Sequence, residues 1–284
     1  MSAARNATKS TLTHAPLLAA AAITLIPIAW MLCAAVKSGE DFKWLFLPRG
    51  DGFLGIAWDH LTFSNFTRLF GEAHMGSAIL NSFFVSSVSA VVATLACAAG
   101  GFALARYRFR GRGPITVLVL GALIIPPPLL LAPTYELLYH LSLLDTFTGL
   151  LLPGIAPAFG VFLFRQATIQ SVPRELLEAA RIDGCGELRA FFVIVLPLLR
   201  PMIGAFMLIT FLMWWNNFIS PQVILQDPQK FPLAVAISQL KGVYYQDYGL
   251  QMAATVVSVA PVMILFLLLQ KEFIAGLTAG AVKG

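Results

Sequence analysis

Residues able to do chemistry are few and scattered in this chain of 284 residues. The four histidines, His14, His60, His74 and His140, share no spacing that would build a metal site or a base–nucleophile pair. Cys33, Cys97 and Cys185 form no paired-cysteine pattern. No Gly-x-x-x-x-Gly-Lys-Ser/Thr stretch is present to cradle a nucleotide phosphate, and no Gly-x-Ser-x-Gly or His-Glu-x-x-His sequence appears. The one dense polar stretch, residues 171–197, is suited to recognition. Pro173 fits the first turn of a helix, where its missing N–H costs nothing. Leu176, Leu177, Ala179 and Ala180 then share one helical face. Glu175 and Glu178 lie early, where the helix dipole favours acids, and Arg181 lies late, where it favours bases. Gly184 and Gly186 are expected at positive φ, stopping the helix, and Asp183 is expected to brace that turn by accepting backbone N–H groups. A second helix restarts near Glu187. Such a helix–turn–helix knob fits a groove on a partner protein.

A membrane must hold this knob. The chain is 58% hydrophobic and 12% charged, with a mean hydropathy of +0.80. A soluble domain does not hide that much apolar surface, and several runs reach the roughly 20 residues a bilayer-crossing helix needs. The prediction is an all-α polytopic membrane protein with six transmembrane helices. They are expected near 15–36, 78–104, 114–140, 148–164, 198–219 and 249–269, and the first reads as a retained span. Thirteen of the 19 Lys and Arg, four of them between Arg106 and Arg112, then fall on the side of both termini. By the positive-inside rule that side is the cytosol. The formal charge of +5 therefore reads as topology and lipid-headgroup contact, not as nucleic-acid affinity. The domain layout is a cytoplasmic N-terminus at 1–14, a six-helix membrane domain at 15–271 with the polar loop at 166–197, and a cytoplasmic tail at 272–284.

Within the spans, three features bear on passage of a solute. Pro126, Pro127, Pro128 and Pro133 must break the third span, and the break is expected to face the bundle interior, because freed carbonyls are tolerated only against protein or water. Tyr135 and Glu136 follow it; Glu136 lines a pathway or lies at headgroup level. Trp214 to Phe218 offer indoles and paired amides, which suit sugar hydroxyls and ring faces or an interfacial belt. Trp215, Asn216 and Asn217 are the candidates there. In the segment after the first span, Ser64 is expected to cap a short helix with Phe66, Leu69 and Phe70 on one face. The second span, rich in Ser82, Ser86, Ser87, Ser89, Gly100 and Gly101, is expected to pack closely. Residues 220–248 suit contact with an external partner.

The motif Glu178-Ala179-Ala180, with Gly184 and then Ile194-x-Leu196-Pro197, resembles the EAA loop of ABC-importer permeases. Asn81-Ser82, Tyr107-Arg108-Phe109, Phe164-Arg165, Trp215-Asn216 and the tail from Gly276 to Gly280 with Val282-Lys283-Gly284 extend the likeness over nearly the whole chain. It is closest in kind to the smaller permease subunit of maltose-type carbohydrate importers. That resemblance implies a type I ABC importer fold with a MetI-like core. It implies coupling through Glu178, Ala179, Ala180, Asp183 and Gly184 to a partner ATPase, which uses ATP and Mg, while this chain binds no cofactor and is not an enzyme. It also implies a second homologous permease, two ATPase subunits, an extracytoplasmic sugar-binding protein, and residence in a bacterial inner membrane. Asn81 joins the pathway candidates, and Gly280 and Lys283 would lie between the ATPases. The solute would be a sugar or oligosaccharide, with a polyol or sugar phosphate as the alternative; a stand-alone secondary carrier would instead need buried charge relays, which the spans lack.

Overall fold

The computed structural model describes residues 2–73, 75–240 and 247–281, with side chains described from 14 to 267. They form two compact units, one of residues 1–75 and 237–261, the other of 76–236 and 262–284. In the first unit, α1 (Ser2–Ala35) holds Pro16 and Pro27, and α2 (Ser64–Gly71) follows three short 3-10 turns. Ser64 is the first helical residue, not the cap: its own N–H donates to Thr62 Oγ1 at 3.0 Å. The buried residues of α2 are Asn65 and Leu69, while Phe70 is 49% exposed. The expected aromatic face is thus replaced by one centred on an amide. Asn65 Nδ2 donates to Ala35 O and Lys37 O, both at 2.9 Å, capping carbonyls at the end of α1 that have no helical partner.

The second unit is built on α3 (Met75–Arg106), a helix of 32 residues without an internal proline. Its small residues let neighbours close in. A Cβ on Gly101 would sit 2.5 Å from Arg165 N, and one on Gly160 would sit 2.6 Å from Cys97 Sγ. Gly111, at φ 93, turns the chain into α4 (Arg112–Ala122). The prolines then do what ring geometry demands. After α4 comes a 3-10 turn at Pro127–Leu130 and α5 (Leu131–His140), with a bend of 106° between the two halves. All of residues 121–130 are exposed on this chain, so the break is not covered by its own bundle as expected. A bend of 46° separates α6 (Phe147–Leu151) with its following turn from α7 (Ala158–Ser171).

Next come α8 (Arg174–Ile182) and α9 (Glu187–Ala190), a π-helical turn at Phe191–Val195, α10 (Leu196–Leu198) and α11 (Arg200–Trp215). An 82° bend at Leu199 breaks the fifth span, so its helical path starts at Glu187 and stops at Trp215. Then α12 (Ile219–Ile224), α13 (Leu233–Gln239) and α14 (Tyr248–Ala281) complete the described chain. Among the described residues, three helices are long and apolar enough to cross a bilayer alone, and three bent pairs raise the number to six by length and composition.

Candidate functional site

Helix α8 starts one residue later than expected. Pro173, at φ −61 and ψ 145, sits just before it in extended backbone, where proline's restricted predecessor also fits. Leu177 is the buried residue of α8, at 4% exposure, and Ala180 is half-buried. Leu176, Glu178 and Ala179 are exposed, so the four apolar residues do not share one buried face: two point into the fold and two away. Ile182, just before the turn, is 88% exposed.

The turn is closed by backbone alone. Cys185 N–H donates to Ala180 O at 2.8 Å, and Gly184 N–H donates to Arg181 O at 3.0 Å. With Gly184 at φ 79 this is the six-to-one and five-to-two pairing of a Schellman stop. Asp183 is exposed, and its carboxylate is not what closes the turn. Gly186, at φ −67, is ordinary extended backbone before α9, so only Gly184 needs the freedom of glycine.

Two consecutive residues at the end of α3 hold this loop at its two ends. Arg106 Nη2 donates to Thr168 O at 3.0 Å, which also accepts Val172 N–H, to Ile169 O at 3.4 Å and to Val172 O, gathering the carbonyls at the end of α7. Tyr107 Oη donates to Glu187 Oε2 at 2.6 Å, and Arg181 Nε donates to Glu187 Oε1 at 2.7 Å. Glu187 thus ties the last turn of α8, the first turn of α9 and the chain after α3. The Arg181 hydrogen bond, with help from Tyr107, holds the Glu187 carboxyl below the ordinary range. Burial, then the Glu187 bond, pushes the Tyr107 phenol up to about 12, so it stays a donor at any physiological pH. The Tyr107 ring meets Phe102, which stacks on Phe191. These residues, with Leu95, Ala99, Leu188 and Phe192, wall an apolar cavity of about 380 Å³. Sequence reasoning left Arg106, Tyr107 and Glu187 without these roles. The available signal was a tyrosine and an arginine ending a long apolar run, with an acid opening the helix that returns beside it.

The pathway candidates lie on separate elements. Asn81 Nδ2 donates to Gln229 O at 2.8 Å and Phe231 O at 3.3 Å, holding that segment against α3. Tyr135 is half-buried on α5, and Glu136 is exposed beside His140 at 4.0 Å. Trp215 is 2% exposed and stacks on Phe211 with ring centres 5.7 Å apart, so it is a core side chain and not a wall of an open path. Trp214 packs where a Cβ on Gly154 would meet its ring at 2.6 Å. Asn216 is exposed and donates to Leu212 O at 2.8 Å, finishing α11. Asn217 Oδ1 accepts from Ser220 N at 3.3 Å. Gly280 falls within α14, while Lys283 lies outside the described residues.

Comparison with known proteins agrees with this architecture. The chain is 38% identical over 261 residues to the arabinooligosaccharides transport system permease protein AraQ of Bacillus subtilis, covering 92% of this chain and 91% of that one. It is 34% identical over 281 residues to the diacetylchitobiose uptake system permease protein NgcG of Streptomyces coelicolor, covering 96% and 88%. A chain of a bacterial ABC transporter that imports the acidic polysaccharide alginate shares the fold, with a TM-score of 0.79 at 23% identity over 95% of this chain and 98% of that one. Residues 90–277, which hold both α8 and its anchors, match a family model, and the chain belongs to that family, the inner membrane components of binding-protein-dependent transport systems.

Proposed function

We propose that this chain is a pore-forming permease subunit of an ATP-driven importer for a sugar or oligosaccharide, lying in a bacterial inner membrane with both termini in the cytosol. The observation that carries the reading is α8, a short helix with one fully buried side chain, a glycine-locked stop, and Ile182 left 88% exposed beside Glu178 and Ala179. An apolar residue that bare, in a rigid polar loop, fits a groove on another protein. In this reading two ATPase subunits bind ATP and Mg, and their closure moves α8. Glu178, Ala179, Ala180 and Gly184 form or shape the contact, and the end of α14 lies near the same partners. A second homologous permease completes the pore, and an external sugar-binding protein delivers the solute.

Asn216, Tyr135 and Glu136 are the candidates to meet the solute, with Asn217 shaping the backbone beside them. The exposed break at Pro126–Pro128 needs water or a second subunit for its free carbonyls, which suits a pore wall shared with another permease. The oligosaccharide systems of the relatives above support a sugar as cargo. The test is to purify the assembled complex with its binding protein and challenge a bound labelled oligosaccharide with unlabelled sugars, polyols and sugar phosphates. Displacement by neutral sugars alone is the expected result; displacement only by a phosphorylated solute would overturn the sugar assignment.

A further inference from the structure

Helix α3 is fastened to other parts of its unit near both of its ends. At the loop end, Arg106 grips the carbonyls of 168, 169 and 172, before α8, and Tyr107 grips Glu187, after it. Arg112 folds back to donate to Tyr107 O at 3.4 Å and Ala105 O at 3.5 Å, bracing the residue that carries the phenol. Five residues before Arg106, Gly101 lets α7 approach so closely that the two helices cannot slide without a clash. At the far end, Asn81 holds Gln229 O and Phe231 O, and the buried Ser82 Oγ accepts from Leu233 N at 2.7 Å. From Asn81 to Arg106 the helix rises through 25 residues, about 38 Å at 1.5 Å per residue.

The geometry points to Arg106 and Tyr107 as positioning residues that clamp the α8 loop to α3 at both its ends, so that a load on α8 is carried along α3 to the 229–233 segment. A loop held at one end pivots; held at both, by the last residue of α3 and the residue that follows it, it moves with that helix. The phenol–carboxylate bond is the more telling half, because it is charge-assisted and joins residues 80 positions apart. The inference rests on the reading of α8 as the ATPase contact, but the clamp itself is measurable without that contact.

The experiment uses Tyr107→Phe, which keeps the ring on Phe102 and removes only the hydroxyl, with Glu187→Gln and the double variant, each in the full complex in proteoliposomes. Paramagnetic labels at positions 175 and 91 report the α8–α3 distance distribution, and labelled solute and released phosphate report uptake per ATP hydrolysed. Tyr107→Phe is expected to broaden the distance distribution and to lower uptake per ATP about fivefold, from loss of one hydrogen bond to a charged group, with ATPase turnover kept. The double variant is expected to add nothing to the larger effect of Glu187→Gln, since the bond lost with the Tyr107 hydroxyl is already lost with the carboxylate, which also holds Arg181. Arg106→Met, which removes Nη2 and its three carbonyl bonds, is expected to broaden the same distribution. An unchanged distribution in Tyr107→Phe, or a broadened one with uptake per ATP intact, overturns the proposal. Absence of ATP hydrolysis by the unaltered complex would strike the functional reading instead, while the distance measurement would still decide the clamp.

Discussion

Helix α2 has eight residues and α8 has nine, and each is a short amphipathic segment between longer helices. Their surroundings differ. The buried side of α2 is finished by its own unit: Leu69 is fully buried, Asn65 satisfies two carbonyls at the end of α1, and Arg68 Nη1 reaches Asp247 Oδ2 at 2.7 Å. Helix α8 is secured by its ends, through Arg106 and Glu187, and buries Leu177 alone, while Ile182 stands in the open. Short helices are marginal in water and take their stability from tertiary contacts. In the reading proposed above, a segment held so firmly yet covered so little docks outside its own chain. The lesson of the pair is that amphipathic pattern alone does not tell a structural helix from a docking helix; what covers the apolar side does.

Substitutions can break this contrast from either side. The largest stability effect is expected at α2. Asn65→Leu leaves Ala35 O and Lys37 O without their donor, at about 1–3 kcal/mol for each carbonyl left unsatisfied. The melting temperature of the purified chain should fall, while ATPase bound per chain, once folded, stays the same. At α8 the pattern should invert. Ile182→Asp removes a side chain that touches little of this chain, so the melting temperature should hold, yet co-purified ATPase should drop about tenfold or more if Ile182 anchors the contact. Equal effects of both variants on both readouts would erase the distinction.

The smallest effect belongs to the ion pair that steadies α2. Arg68 and Asp247 are 42% and 24% exposed, so Arg68→Gln should cost no more than about 1 kcal/mol. Burial raises the Asp247 carboxyl, but the Leu250 backbone bond and Arg68 outweigh it, and the pKa ends below its ordinary 3.8. A depressed carboxyl contributes stability that is complete above its unfolded value and is lost as pH falls through the folded one. The protection of α2 amides, corrected for the intrinsic pH dependence of exchange, should therefore be flat from neutral pH to about 4 and fall below that, and Arg68→Gln should flatten the acid limb.

How much of this was legible in the chain depends on the range of each interaction. The stop at Gly184 was readable, because a helix end and its glycine lie within one turn of each other. So was the break at Pro126–Pro128, since ring closure acts on adjacent residues. What covers that break was not readable: its exposure depends on where five other spans lie. Asn65 looked like one polar residue in an aromatic helix, because its acceptors are 28 and 30 residues back. Trp215 looked by type and position like a ring for a sugar or for the membrane interface, and only packing against Phe211 shows it buried. Tyr107 and Glu187 each looked local, and the bond between them spans 80 residues.

The central claim, that α8 is the point where a motor protein takes hold, is tested most directly by a photo-crosslinking residue at position 182 in the membrane-embedded complex. The account predicts a single major adduct with an ATPase subunit, formed from the cytosolic side and altered in yield by ATP. Adducts only with lipid or with proteins outside the membrane's cytosolic face would contradict it.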